Sequence, residues 1–383
     1  MYALVIGRAY PNNKTGMIGI FEFEQAVALS KYGSKVVYSF SDNRSIKRLM
    51  SFGPRSFKVN DVPIYGYNLP VGGTPQKVFS SVKNWCYEKV LNEIIKDEGI
   101  PEIIHVHFPL LNLNHKMWDL LKKLKRPIVV TEHWTKVQIK SLQPQQITLL
   151  NKIVNEADAF ICVGDLLKKS VLELTNTNRD IKVIPNMVKP IFFYEETKQK
   201  SEQFEFIMVG RLEEVKRFSL VIDAFSKAFK DVNEVHLNLV GDGPLYEKLQ
   251  QQITELDMKG KITMHGLLSR NETAKIMKKS DAFVSGSILE TFGVPFIEAM
   301  ACGKPVIGIK NGPIDKYINN SNGILFQQDD LDSLTNALTK LYDNKGSFDG
   351  RKISETAYNI FSEEAVVKQL NDLFLSCLDR YSQ

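Results

Sequence analysis

Two glutamates bracket a glycine turn in the run Ser287 to Pro313, SILETFGVPFIEAMACGKPVIGIKNGP. Glu290 lies before the turn and Glu298 lies one helical turn beyond it. Asp281 to Ser285 (DAFVS) reads as a short buried strand, and Pro305 to Ile309 (PVIGI) as the next. Between them, Gly293 lets the backbone approach a ligand closely. Pro295 suits the first position of a helix, where its missing N–H costs nothing. Phe296 to Cys302 then form a short helix that Gly303 ends. A helix start offers free N–H groups and a positive dipole end to an anion. With a hydrogen-bond acceptor on either side, the stretch suits a phosphorylated sugar compound. Phosphate would rest on the amides of Phe292, Gly293 and Val294, and hydroxyls would go to the carboxylates. The same spacing also fits an ordinary helix whose acidic first-turn residues add a few tenths to about 1 kcal/mol. Spacing alone leaves both open.

Further candidates stand at the ends of other apolar runs. Phe204 to Val209 reads as a buried strand, followed by Gly210, Arg211 and, after a short turn, Lys216. Cations just past a strand end can reach phosphates lying over a helix start, and they can equally be solvated surface charges. His133 follows the strand Ile128 to Thr131, a position from which ligands are contacted in parallel sheets. It can also be a satisfied structural histidine. His105 and His107 straddle the end of the strand Ile103 to Val106, without a carboxylate or cysteine near enough in sequence to complete a metal site. The run GDGPLY after Val235 to Val240 has Tyr246 where a dinucleotide fingerprint needs its last glycine.

The run ETFGVPFIEAMACGKPVI resembles the Glu-x7-Glu signature of retaining glycosyltransferase family 4. GRLEEVK at Gly210 to Lys216, GDGP at Gly241 to Pro244 and NGILF at Asn322 to Phe326 agree with it in order. The resemblance is nearly continuous over the second half and patchy over the first. It implies an α/β chain of the GT-B type, two facing Rossmann-like doubly wound domains with a cleft between them. It also implies retaining transfer of a sugar from a nucleotide-sugar donor, UDP by preference, to an acceptor hydroxyl, with no metal and no cofactor. In such enzymes the leaving diphosphate is thought to assist the acceptor on the same face of the sugar. Carried over residue by residue, Arg211 and Lys216 after Gly210 would clamp the diphosphate. Glu298 would accept from the ribose hydroxyls, and Glu290 would contact the sugar near the amides of Phe292, Gly293 and Val294. Gly266 and Leu267 would hold the base. Gly16 and Gly19 of the GMIG loop would lie beneath the diphosphate and the acceptor, and His133 of the TEH triplet would stand near the transferred sugar. Asn311 to Pro313 (NGP) departs from the pattern, because many members have two glycines there.

These residues need two sheets to hold them. The chain has 383 residues, 43% hydrophobic and 24% charged, enough for two domains with separate cores. Ala3 to Ile6, a helix from about Ile20 to Tyr32 and Lys35 to Phe40 look like an opening strand-helix-strand unit. Residues 41–78 read as irregular, and Val78 to Lys96 as a helix. We expect residues 1–188 to form an acceptor-binding domain and 189–362 a donor-binding domain. Residues 363–383 are expected to form a helix crossing back to the first. Phe192 to Gln203, rich in Glu, Lys and Gln, is the expected linker.

Charge divides along the same line. Residues 1–186 hold 25 Lys and Arg against 16 Asp and Glu, whereas the remainder holds 24 against 28. A basic first half can meet an anionic substrate or an anionic membrane, and no nucleic-acid motif accompanies it. Lys116 to Arg126 (KMWDLLKKLKR) is amphipathic and reads either as a helix packed on the sheet or as one resting on a membrane surface. The four scattered cysteines fit a reducing compartment, and MYALVIGRAYP lacks the features of a signal peptide. The expected setting is cytoplasmic, peripheral on the inner face of the membrane. The expected partners are a nucleotide-sugar donor and a glycan or lipid-linked acceptor. A nucleotide-sugar epimerase of the same architecture and a non-catalytic sugar-binding protein remain as alternatives.

Overall fold

The computed structural model describes residues 1–11, 18–45, 53–72, 74–196 and 203–381. The chain divides into two units, Met1–Asn186 with Val366–Gln383, and Met187–Ala365. Each is built on one sheet.

The first sheet contains β1 (Tyr2–Gly7), β2 (Lys35–Ser45), β3 (Gly53–Val59), β4 (Val62–Gly72), β5 (Ile103–His107), β6 (Ile128–Glu132), β7 (Ala159–Cys162) and β8 (Ile181–Val183). Their spatial order is β3-β4-β2-β1-β5-β6-β7-β8, parallel throughout except for β3. Every residue of β1, β5 and β6 is buried, as strands covered by helices on both faces must be. The register sets Val5 beside His105 and His107 beside Thr131.

Part of the stretch expected to be irregular is regular. β2 runs on to Ser45, and β3 and β4 form an antiparallel hairpin that extends the sheet. Asn60 and Asp61 make its two-residue turn, with φ of 47° and 64°. Two successive positive φ values match the right-handed twist of the flanking strands, and Asn and Asp tolerate them. Lys47 and Arg48 of that stretch lie outside the described residues.

The amphipathic run of the first unit turns its apolar side inward. Its helix is His115–Lys122, capped by the Asn114 side chain, which accepts from the Met117 amide. Met117, Trp118 and Leu121 are buried. The Trp118 indole N–H donates to Glu156 Oε2 at 2.7 Å. Packing on the unit's own core is the reading the side chains adopt, and the apolar face is not offered to a membrane.

The second sheet contains β9 (Phe204–Val209), β10 (Val235–Val240), β11 (Ile262–Gly266), β12 (Ala282–Val284), β13 (Val306–Ile309) and β14 (Gly323–Phe326), in the order β11-β10-β9-β12-β13-β14. All five pairings are parallel, which is the doubly wound Rossmann order. Its core gathers Phe206, Phe218, Phe225 and Phe229, with the Phe206 and Phe229 rings stacked at 5.8 Å. The chain order reverses between β9 and β12, so the ends of these two strands flank the switch point where ligands enter such sheets.

Candidate active site

In the second unit, a glycine stands at or directly after the ends of three neighbouring strands, β9, β10 and β11. The Gly210 amide donates to the Val240 carbonyl, and the Gly241 amide to that of Gly266. Gly241 has a φ of 146°, and a Cβ there would stand 1.8 Å from the Gly210 carbonyl oxygen. A side chain would therefore push the β9 and β10 ends apart. The Leu212 amide continues the contact by donating to the Asp242 carbonyl.

Lys216 closes the turn Glu214–Lys216 that follows. Its Nζ donates to Glu290 Oε1 at 2.5 Å, and both side chains are largely buried. The Ile288 amide donates to the Val215 carbonyl and fastens the two loops together. Arg211 goes elsewhere. Its side chain is 71% exposed and its Nε lies 3.2 Å from Glu213 Oε1. Of the two predicted clamp cations, Lys216 is thus held in the loop cluster, whereas Arg211 lies exposed beside Glu213.

Glu290 leads to Gly293, whose φ of 93° starts the helix Val294–Ala301. This left-handed turn needs glycine and leaves the first-turn amides of the helix pointing out of its N-terminus. The Phe292 ring is buried against Tyr317 and Phe361, at 6.2 and 6.0 Å, so only its backbone can face a ligand. Glu298 is buried one turn into the helix, where the Arg270 Nη2 donates to its Oε1. Arg270 opens the helix Arg270–Lys279, and its guanidinium lies 5.5 Å from the Phe192 ring centroid. Sequence reasoning passed over Arg270. The Ser269–Glu272 capping box marked the helix start but carried no signal for the direction of the next side chain. Leu267, beyond Gly266, is 78% exposed and presents a bare apolar surface at the end of β11.

In the first unit, His133 lies in a buried cluster at the ends of β5 and β6. Its Nε2 is 2.9 Å from His107 Nδ1, and its ring stacks on Phe108 at 4.6 Å. His105 Nε2 lies 2.7 Å from the Thr131 hydroxyl. Burial first, and then the neighbouring Arg8 charge, holds His133 well below the usual imidazole range. Burial and the adjacent His133 do the same for His107. The cluster is therefore neutral imidazole, with one ring nitrogen of each residue a donor and the other an acceptor. Glu132 Oε1 accepts from the His133 and Trp134 amides at 2.8 Å each, which fixes the turn that presents the histidine. Burial raises the Glu132 carboxyl to about 7, against the opposing pull of those two amides and of Arg8. Among the described residues, no group of three or more His, Cys, Asp or Glu is arranged to hold a metal ion. Gly19 precedes the helix Ile20–Lys31, and its carbonyl accepts from the Phe23 amide. Gly16 lies outside the described residues.

Two Rossmann-like α/β units with ligand-facing strand ends define a class, and comparison with known proteins places the chain within it. Residues 192–359 match the sequence model of the glycosyl transferases group 1, and residues 52–190 match that of glycosyltransferase family 4. Together the two matches support a GT-B glycosyltransferase of group 1. N-acetyl-alpha-D-glucosaminyl L-malate synthase of Bacillus anthracis is 26% identical over 301 residues, covering 75% of this chain and 77% of that protein. Alpha-monoglucosyldiacylglycerol synthase of Streptococcus pneumoniae is 23% identical over 283 residues, covering 68% and 63%. The solved structure of HepE from Anabaena, in complex with UDP and glucose, superposes with a TM-score of 0.72 at 18% identity, covering 98% of this chain and 100% of that one.

Proposed function

We propose that this protein is a retaining hexosyltransferase that moves a sugar from a UDP-sugar to an acceptor hydroxyl in surface polysaccharide or lipid-linked glycan assembly. The second unit takes the donor and the first takes the acceptor. The observation that carries the reading is the Lys216–Glu290 pair beside the start of the helix Val294–Ala301, at the β9/β12 switch point. A cation, a carboxylate and free helix amides converge there, as a sugar diphosphate requires. HepE binds UDP and glucose on the same fold, and the relatives are named for glucosaminyl and glucosyl products.

Catalysis then rests on positioning and charge. The Lys216 ammonium has three donors, so it can keep Glu290 and also hold the diphosphate as negative charge develops on it. Arg211 swings in from its exposed position to complete the clamp. Glu290 accepts from a sugar hydroxyl, with the Phe292, Gly293 and Val294 amides alongside. Glu298, paired with Arg270, accepts from the ribose, and Leu267 with Gly266 supports the base. Gly19, in the first unit, is assigned to the acceptor side. Neutral His133 offers a hydrogen bond to the transferred sugar. The positive side of the donor site comes from lysine, arginine and helix dipole, so we propose that no divalent metal takes part.

The test is calorimetric titration with UDP, followed by turnover on a panel of UDP-sugars with NMR assignment of the product anomer. UDP binding and an α-linked product from an α-linked donor are expected. A protein without UDP affinity, or a β-linked product, would refute the proposal.

A further inference from the structure

We propose that Arg8 recognises an anionic group, phosphate or carboxylate, on the acceptor. This deepens the functional reading above and rests on acceptor binding by the first unit.

Arg8 and Phe108 directly follow β1 and β5. These two strands flank the switch point of the first sheet, because β1 pairs with β2 on one side and β5 on the other. The Arg8 guanidinium lies 3.5 Å from the centroid of the Phe108 ring. Phe108 has a φ of 48°, a left-handed conformation rare for a bulky side chain and common where a site holds its backbone under strain. The Phe108 ring also stacks on the His133 ring, at an interplanar angle of 17°. Arg8, Phe108 and His133 are therefore linked in a stack at the strand ends.

The edge of the guanidinium is held as well. Arg8 Nε donates to Glu22 Oε1 at 2.8 Å, and the Glu22 side chain is fully buried. Among the described residues, neither terminal nitrogen of Arg8 has a hydrogen-bond partner. The side chain nevertheless keeps 26% of its surface exposed. An arginine serving only to neutralise Glu22 would have no need of an outward fork beside His133. Fixed by a carboxylate on one edge and an aromatic ring on one face, this group offers its terminal N–H pair in a set direction. Two parallel N–H groups match the oxygens of a carboxylate or phosphate. The surrounding histidines are held neutral, so Arg8 is the cation of the cluster. The donor site has its own cation in Lys216 of the second unit, which is why we assign the Arg8 fork to the acceptor.

The full-length protein is titrated calorimetrically with inorganic phosphate and, separately, with L-malate, each with and without saturating UDP. We expect one of the two anions to bind the wild type with UDP present. We expect Arg8→Gln to weaken it about tenfold or more, the usual effect of losing a charge-assisted contact. Arg8→Lys keeps the charge without the fork and should also lose most of the affinity. UDP affinity should be unchanged in both variants. Glu22 Oε2 is buried and has no partner among the described residues, so Arg8→Gln leaves a carboxylate unpaired. The double variant Arg8→Gln/Glu22→Gln removes that charge and should show the same loss of anion binding in a folded protein. Unaltered anion affinity in these variants overturns the assignment, as does failure of both anions to bind the wild type. If UDP affinity falls with Arg8, the fork serves the donor diphosphate and the acceptor assignment is wrong. A wild type that binds no UDP tells against the donor reading instead, and the titrations without UDP then decide Arg8 independently.

Discussion

Lys216 and Glu290 stand 74 positions apart in the chain, yet their side chains meet at 2.5 Å across the ends of β9 and β12. Neither is fully exposed, so the contact is partly shielded from water and from screening by salt. Lys216→Ala should lower kcat/KM for the donor by ten- to a hundred-fold, the loss of about 1.5–3 kcal/mol of charge-assisted bonding. Arg211→Ala should do the same through donor binding, with little change in thermal stability because its side chain is exposed. Steady-state kinetics with both variants check this, and wild-type kcat/KM in both would remove the diphosphate assignment.

Glu298 and Arg270 should separate stability from function. Arg270→Ala leaves Glu298 buried without this cation, and breaking a buried pair typically costs about 3–5 kcal/mol. Glu298→Gln removes the charge but keeps the shape, so it should cost less stability and chiefly weaken UDP binding. Glu290→Gln should leave UDP affinity near wild type and reduce turnover. Thermal unfolding and UDP titration on the three variants test the division. Loss of UDP affinity in Glu290→Gln alone would reverse the two roles.

The first unit should carry a pH signature. The Glu132 carboxyl is raised to about 7 from an ordinary 4.5, so the folded state binds the extra proton between these values. Its contribution to stability is full below the ordinary value and declines as pH rises through about 7, by on the order of 3 kcal/mol. The buried histidines act in the opposite sense. Their folded values are depressed, so their contribution declines as pH falls below the ordinary imidazole value. Glu132→Gln should therefore gain stability relative to wild type from about pH 5 to about pH 8, as read by unfolding midpoints across that range. A difference independent of pH would mean that Glu132 titrates normally.

Activity should survive EDTA, since Lys216, Arg211 and the helix start supply the positive charge in the proposed site. Loss of activity restored by magnesium or manganese would contradict that mechanism.

Contact with an anionic membrane, where it occurs, should be electrostatic. Trp118 is buried, so Trp118→Ala should cost about 3–5 kcal/mol of stability. Vesicle binding should depend instead on Lys122, Lys123, Lys125 and Arg126, and it should fall as salt rises. Co-sedimentation with anionic liposomes checks this. Absence of binding at low salt would leave a soluble acceptor as the reading to pursue.

The sequence by itself determined the local pieces. Continuous apolar runs bounded by glycine and proline marked most strands, because strands buried on both faces admit little else. The turn from Glu290 through Gly293 into a helix was legible because glycine alone tolerates that φ readily and proline suits a helix start. The β3–β4 hairpin was missed although Asn60 and Asp61 signalled it, since Pro63, Pro70 and Gly72 within β4 read as turn signals. Tertiary structure decided which side chains meet. An amphipathic pattern says that Trp118 has an apolar side but not what covers it. Nothing local to Arg270 or Arg8 names Glu298, Glu22 or Phe108 as a partner. Such contacts depend on strand order and register, which bring distant residues to one sheet edge, and on side-chain directions that only packing fixes.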